Sequence, residues 1–173
     1  MPKVIFLEAG EIVGTHGVRG EVRVRPECDS PEQFSTLRTI YFDADGKRAV
    51  RMKARPHKTI ALAKLEGVDT VEAAAALRGT MLYLNRRDLK LEKGRYFICD
   101  LIGAQIVDYD TGALYGTCSD VSHTGGANDV YHLTTPVGKE VLIPVIPDIV
   151  KEVDLKNNCI RITPMLGLFD DEN

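Results

Sequence analysis

Apolar and polar residues alternate one for one along much of this chain, the period of a strand with one buried face. In "GEVRVRPE", Val22 and Val24 share one face, while Arg19, just upstream, and Glu21, Arg23 and Arg25 share the other. "VRMKARP" repeats the pattern, with Met52 and Ala54 on one side and Arg51, Lys53 and Arg55 on the opposite side. "VIFLEAGEIVG", "TIALAKLEG" and "TMLYL" also read as strands, and "TIYFDADGKRAVRMKA" predicts a hairpin turning at Asp45-Gly46.

Two short interruptions have helical character. In "SPEQFSTLR", Ser30 is placed to cap, Pro31 suits the first turn, and Glu32 complements the helix dipole. In "DTVEAAAALRG", Asp69 is the expected cap, Glu72 follows in the first turn, and Gly79 ends the run. The polar "NRRDLKLEKG" predicts a linker. Beyond it, three more hairpin patterns turn at "YDTG", "TPVGK" and "KNN". Pro144 in "EVLIPVIPDIV" cannot donate to a ladder, which predicts an edge or bulged strand, its apolar residues packing the two domains together or, less favoured, meeting a partner. The acidic tail "LFDDEN" is expected to fray. The pattern predicts a mainly β protein of two small β-barrels with a few short helices, one barrel over residues 1–90 and one over 91–173.

Charge sharpens this division. The 173 residues carry a net charge of −3. Residues 1–90 hold 16 Lys/Arg against 12 Asp/Glu, a net +4; residues 91–173 hold 6 against 13, a net −7. A basic half and an acidic half suggest two surfaces with different partners. No apolar run approaches the roughly 20 residues of a membrane span, and Glu8 and Glu11 interrupt the N-terminal apolar stretch, so neither a membrane segment nor a signal peptide is expected. A cytoplasmic monomer is the expectation. The four cysteines form no C-x-x-C pair, which argues against a zinc ribbon; Cys118 and Cys159 read as buried thiols, and neither metal nor cofactor is expected.

The glycine-rich "GTHGVRGEVRV" lacks the lysine and the following helix of a phosphate loop, and its G-x-x-G joins two strands rather than two helices. A tight or bulged connection suits it better. The histidines are scattered, no hydrolase or kinase signature occurs, and "FDADGK" and "VDYDTG" lack the twelfth-position glutamate of a calcium loop. No catalytic residue is nominated. The cation rows Arg19, Arg23, Arg25 and Arg51, Lys53, Arg55 either neutralise phosphates or form an ordinary solvated exterior; the pattern alone does not separate the two. In "GRYFICDLIG", the adjacent Tyr96 and Phe97, read as extended, point to opposite faces. Either one is exposed as an interface anchor, or the pair is split between the core and the seam between domains.

Taken together, "GEIVGTHGVRGEVRV", "YFICDLIG", "GANDVYHL", "VLIPVIPDIV" and "VDLKNNCIRITPMLGLFD" resemble, in order and spacing, the ribosome maturation factor RimM family. The resemblance implies a six-stranded translation-protein-like barrel followed by a PRC barrel. It implies a non-enzymatic assembly factor that binds the immature 30S subunit and assists maturation of the 3′ (head) domain of 16S rRNA. It further implies docking on ribosomal protein S19 through the C-terminal domain, with the family's paired aromatics mapping onto Tyr96 and Phe97. The second is more typically Tyr, so any hydrogen bond from that hydroxyl is absent here. An RNA-processing enzyme and a stand-alone RNA-binding module are the alternatives.

Overall fold

The computed structural model describes residues 4–123 and 128–169. The chain divides into two compact units, Met1–Lys90 and Leu91–Asn173.

The first unit contains β1 (Phe6–His16), β2 (Glu21–Pro26), α1 (Pro31–Thr36), β3 (Thr39–Tyr41), β4 (Ala49–His57), β5 (Ile60–Leu65), α2 (Val71–Ala76) and β6 (Met81–Asn85). Its six strands close into a barrel in the order β1-β2-β5-β4-β3-β6. Every neighbouring pair is antiparallel. Closure leaves no strand edge to template aggregation. Strand alternation fills the inside: Val22, Val24, Met52, Ala61, Ala63, Leu65, Leu82 and Leu84 are buried, together with Ile12. Phe34 of α1 and Ala74 of α2 complete the same core.

The caps follow side-chain chemistry. Ser30 Oγ accepts from the Gln33 amide at 3.1 Å, as expected for α1. The cap of α2 is Thr70 rather than the expected Asp69, with its Oγ1 accepting from the Ala73 amide at 3.1 Å. Asp69 is engaged by the Lys64 ammonium at 2.9 Å, which leaves the neighbouring hydroxyl to cap.

The second unit contains α3 (Ile98–Leu101), β7 (Gln105–Asp108), β8 (Leu114–His123), β9 (Asp129–Thr134), β10 (Glu140–Pro144), β11 (Val150–Asp154) and β12 (Cys159–Ile162). They form a six-stranded sheet in the order β10-β9-β8-β7-β12-β11. β12 and β7 pair in parallel, while the other ladders are antiparallel. Ile106, Cys118, Tyr131, Leu133, Ile143, Ile149, Ile160 and Ile162 share one core with Leu101 of α3.

Pro144 ends the edge strand β10, where its missing donor costs nothing. The expected interdomain role of that run does not hold for Val141 and Ile143. Both are buried in the second unit's own core, because the strand alternates inward there, and Leu142 is 52% exposed. The frayed-tail expectation fails at its first two residues. Leu168 and Phe169 pack on this core, and Phe169 stacks on Tyr115 with ring centroids 4.5 Å apart. Residues 170–173 lie outside the described residues, as do Gly126 and Ala127 of the "GAND" stretch.

Candidate nucleic-acid interface and partner site

The glycine-rich stretch resolves as a structural turn. Residues 17–20 connect β1 to β2, with Gly17 at φ +61° and Gly20 at φ +75°, in the left-handed region that favours glycine. A side chain on Gly20 would collide with the Val68 carbonyl and approach the Thr70 nitrogen at 2.9 Å. Lys64 fastens the same contact. Its ammonium donates to the carbonyls of Arg19, at 2.8 Å, and Val68, and pairs with Asp69. The turn is thereby held on residues 68–70, presenting Val18, 81% exposed, and an exposed Arg19 at its tip.

The two predicted cation rows are real but separated. β5 lies between β2 and β4, and Arg23 and Arg55 both align with Leu62. Arg55 reaches across β5 to Glu21 in a two-point pair of 2.5 and 3.1 Å. That guanidinium holds the Glu21 carboxyl below its usual range, and the carboxylate raises Arg55 in return. Leu62 faces outward by register yet is only 2% exposed, consistent with long basic stems shielding apolar surface. Arg25 pairs with Glu11 of β1. Two of the six nominated cations are thus internally neutralised. Arg19, Arg23, Arg51 and Lys53 are exposed and make no ion pair among the described residues. Arg51 and Lys53 line an open groove on the β3–β4–β5 face, together with Arg38, Thr39, Lys64 and Glu66. Arg38 was missed in the sequence because it precedes β3 outside any alternating run.

Tyr96 and Phe97 lie outside any strand, although the backbone at Phe97 is extended, with φ −70° and ψ 134°. Phe97 occupies the N-cap position of α3, a four-residue helix without a side-chain cap, and its carbonyl accepts from the Asp100 amide at 2.9 Å. Both rings are half-buried, and Tyr96 packs on the second core. Ile98 and Ile102, which follow them in the chain, are 49% and 46% exposed. Their i, i+4 spacing in "ICDLI" was the available signal.

One polar constellation bears on the enzyme alternative. His132 Nε2 lies 2.9 Å from Ser122 Oγ, and its Nδ1 lies 2.8 Å from Glu140 Oε1. This is the order of a nucleophile, base and orienting acid. Ser122 sits within the β8–β9 ladder, opposite Val130. Among the described residues, no cluster of three or more His, Cys, Asp or Glu is placed to hold a metal, and no helix is long and apolar enough to cross a membrane.

A closed cationic barrel, followed by a second β unit with an apolar cluster at its entrance, defines a two-domain β protein whose distinctive chemistry lies on its surfaces. Residues 7–89 match the RimM N-terminal domain and residues 98–168 match the RimM PRC barrel domain. The chain belongs to the ribosome maturation factor RimM family. It is 40% identical to the Ribosome maturation factor RimM of Clostridium botulinum (strain Langeland) over 162 residues, covering 92% of this chain and 94% of that one. It is 36% identical to that of Acetivibrio thermocellus over 172 residues, covering 96% and 98%. Among solved structures it is similar to a RimM from Pseudomonas aeruginosa described as a 16S ribosomal RNA processing protein. There the identity is 28%, the TM-score is 0.44, and 91% of this chain and 96% of the other are covered.

Proposed function

We propose that this chain is a non-enzymatic ribosome assembly factor acting in the cytoplasm as a monomer. It binds the immature 30S subunit and assists maturation of the 16S rRNA head domain. The observation that carries the reading is the division of charge between the two units of a RimM-family chain, net +4 on one and −7 on the other. The first barrel lies against rRNA phosphates with its outer cations, drawn from Arg19, Arg23, Arg51 and Lys53, the nominated cations that no glutamate holds. The acidic second unit docks on ribosomal protein S19. Opposite charge speeds and orients that encounter, while the half-buried Tyr96 and Phe97 supply the apolar anchor.

The mechanism needs no covalent step. A factor that binds a late conformation of the head more tightly than competing ones shifts the population towards it by that difference in affinity. Co-sedimentation tests the reading: the full chain associates with immature 30S particles and not with completed 70S ribosomes. Equal association with both, or with neither, refutes it. Incubation with precursor rRNA addresses the processing-enzyme alternative, since strand cleavage or a mass change by the purified chain would establish chemistry.

A further inference from the structure

Pairing sorts the cations of the first unit into two groups. Arg25 and Arg55 are held by Glu11 and Glu21 across neighbouring strands. Arg38, Arg51 and Lys53 are exposed, have no ion pair among the described residues, and line one groove. The backbone places them together: the Met52 amide donates to the Arg38 carbonyl at 2.8 Å, and Thr39 pairs with Arg51 across the β3–β4 ladder. Lys53 stands directly opposite Lys64 in the β4–β5 ladder. Like charges so placed repel unless something compensates them. The Lys64 ammonium is drawn off to the Arg19 and Val68 carbonyls and to Asp69, so of the two acids on the groove wall Asp69 is occupied by Lys64 and Glu66 alone is left to offset Arg38, Arg51 and Lys53.

The other lining residues define the ligand. Thr39, Met52, Ala54, Leu65 and Gly67 include no aromatic ring on which a base could stack. Two guanidinium forks and one ammonium suit phosphate oxygens. We propose that this groove on the β3–β4–β5 face binds the phosphodiester backbone of RNA through Arg38, Arg51 and Lys53, without reading its bases. The proposal rests on the assembly-factor reading and locates its RNA contact: the groove makes the contact, and the Glu-paired Arg25 and Arg55 serve the barrel surface.

The test uses the full chain and two fluorescently labelled RNA hairpins of unrelated sequence, with anisotropy followed across a salt titration. Wild type binds both hairpins within about twofold. Arg38→Gln/Arg51→Gln/Lys53→Gln, which keeps polar stems on exposed positions, loses tenfold or more. The slope of log affinity against log salt falls by about 2 to 3, near the ~0.9 per phosphate contact of duplex nucleic acid. Arg25→Gln changes binding by less than twofold. An unchanged slope in the triple variant, an equal loss in Arg25→Gln, or a tenfold preference between hairpins overturns the proposal. Inorganic phosphate added at constant ionic strength does not compete; competition would identify a simple anion site and overturn the RNA assignment. Co-sedimentation separates the two levels. A triple variant that still sediments with immature subunits like wild type refutes the groove and leaves the assembly role standing. Failure of the wild type to sediment refutes the assembly role, while the hairpin data still decide the groove.

Discussion

Replacing Gly17 and Gly20 in turn with alanine measures how the β1–β2 turn is held. Both have positive φ, so each substitution places a Cβ in the left-handed region at a cost of about 1–2 kcal/mol. Their surroundings differ. Nothing lies within 4 Å of a Cβ on Gly17, whereas one on Gly20 runs into the backbone of residues 68–70. Relieving that overlap means moving the segment and loosening the Lys64 bonds, at a further cost of about 1–3 kcal/mol. Gly17→Ala is expected to destabilise the first unit by about 1–2 kcal/mol and Gly20→Ala by about 2–5 kcal/mol. In a unit of this size each kcal/mol lowers the melting temperature by about 4–8 °C. Because the chain has no tryptophan, the readout is circular dichroism, with amide exchange at Val22 and Val24 assigning the loss to the first barrel. Equal costs at the two glycines would refute the packing of the turn on residues 68–70. A large loss of RNA binding in Gly17→Ala with the fold intact would show that the loop itself is a binding element.

Three further outcomes follow from the second unit and the thiols. Phe97→Ala, alone and combined with Tyr96→Ala, weakens binding to ribosomal protein S19 by about 2 kcal/mol or more in calorimetric titration; unchanged affinity removes this site, and a matched loss of stability in the double variant exposes Tyr96 as a core residue only. Tyr115 donates to Asp108 at 2.7 Å, and with the Thr111 bonds this holds the Asp108 carboxyl down at about 2. Since the folded value is depressed, its stabilisation is complete above the ordinary aspartate range of about 4 and is lost as pH falls towards 2. Tyr115→Phe moves the Asp108 titration, read by carbon NMR, upward, and an unmoved titration would remove the hydroxyl as the main cause. With a thiol reagent at pH 8, the exposed Cys99 reacts first, while Cys28 and Cys118, pushed by burial up to about 12 and about 11, lag far behind; a fast reaction at Cys118 would mean that the second core opens readily.

Much of this was legible because strand alternation is a local property. Val22 and Val24 turn inward and Arg23 and Arg25 outward for the same reason, and the α1 cap is written in four residues from Ser30. The RimM relationship was likewise legible in motif order. What escaped depends on register between distant segments. Neither Glu11 nor Glu21 announces its arginine, since Glu21 meets Arg55 only because β5 is inserted between their strands. Asp69 and Thr70 are both good caps, and only the position of Lys64 decides between them. The helix α3 follows Phe97 without a capping side chain and lasts four residues, too short for a periodic signal. Arg38 joins the groove through a backbone bond to Met52 that no pattern encodes.

The parallel seam of the second unit sets an order of events during synthesis. β12 sits between β7 and β11, so the second edge of the earliest strand and the whole of the penultimate one await the last. The barrel ahead of it is complete once β6 has met β1. A nascent polypeptide can therefore present a finished cationic head while its anionic partner is still an open chain. A stop codon before Cys159 would leave β11, and the edge of β7 that faces away from β8, without a mate.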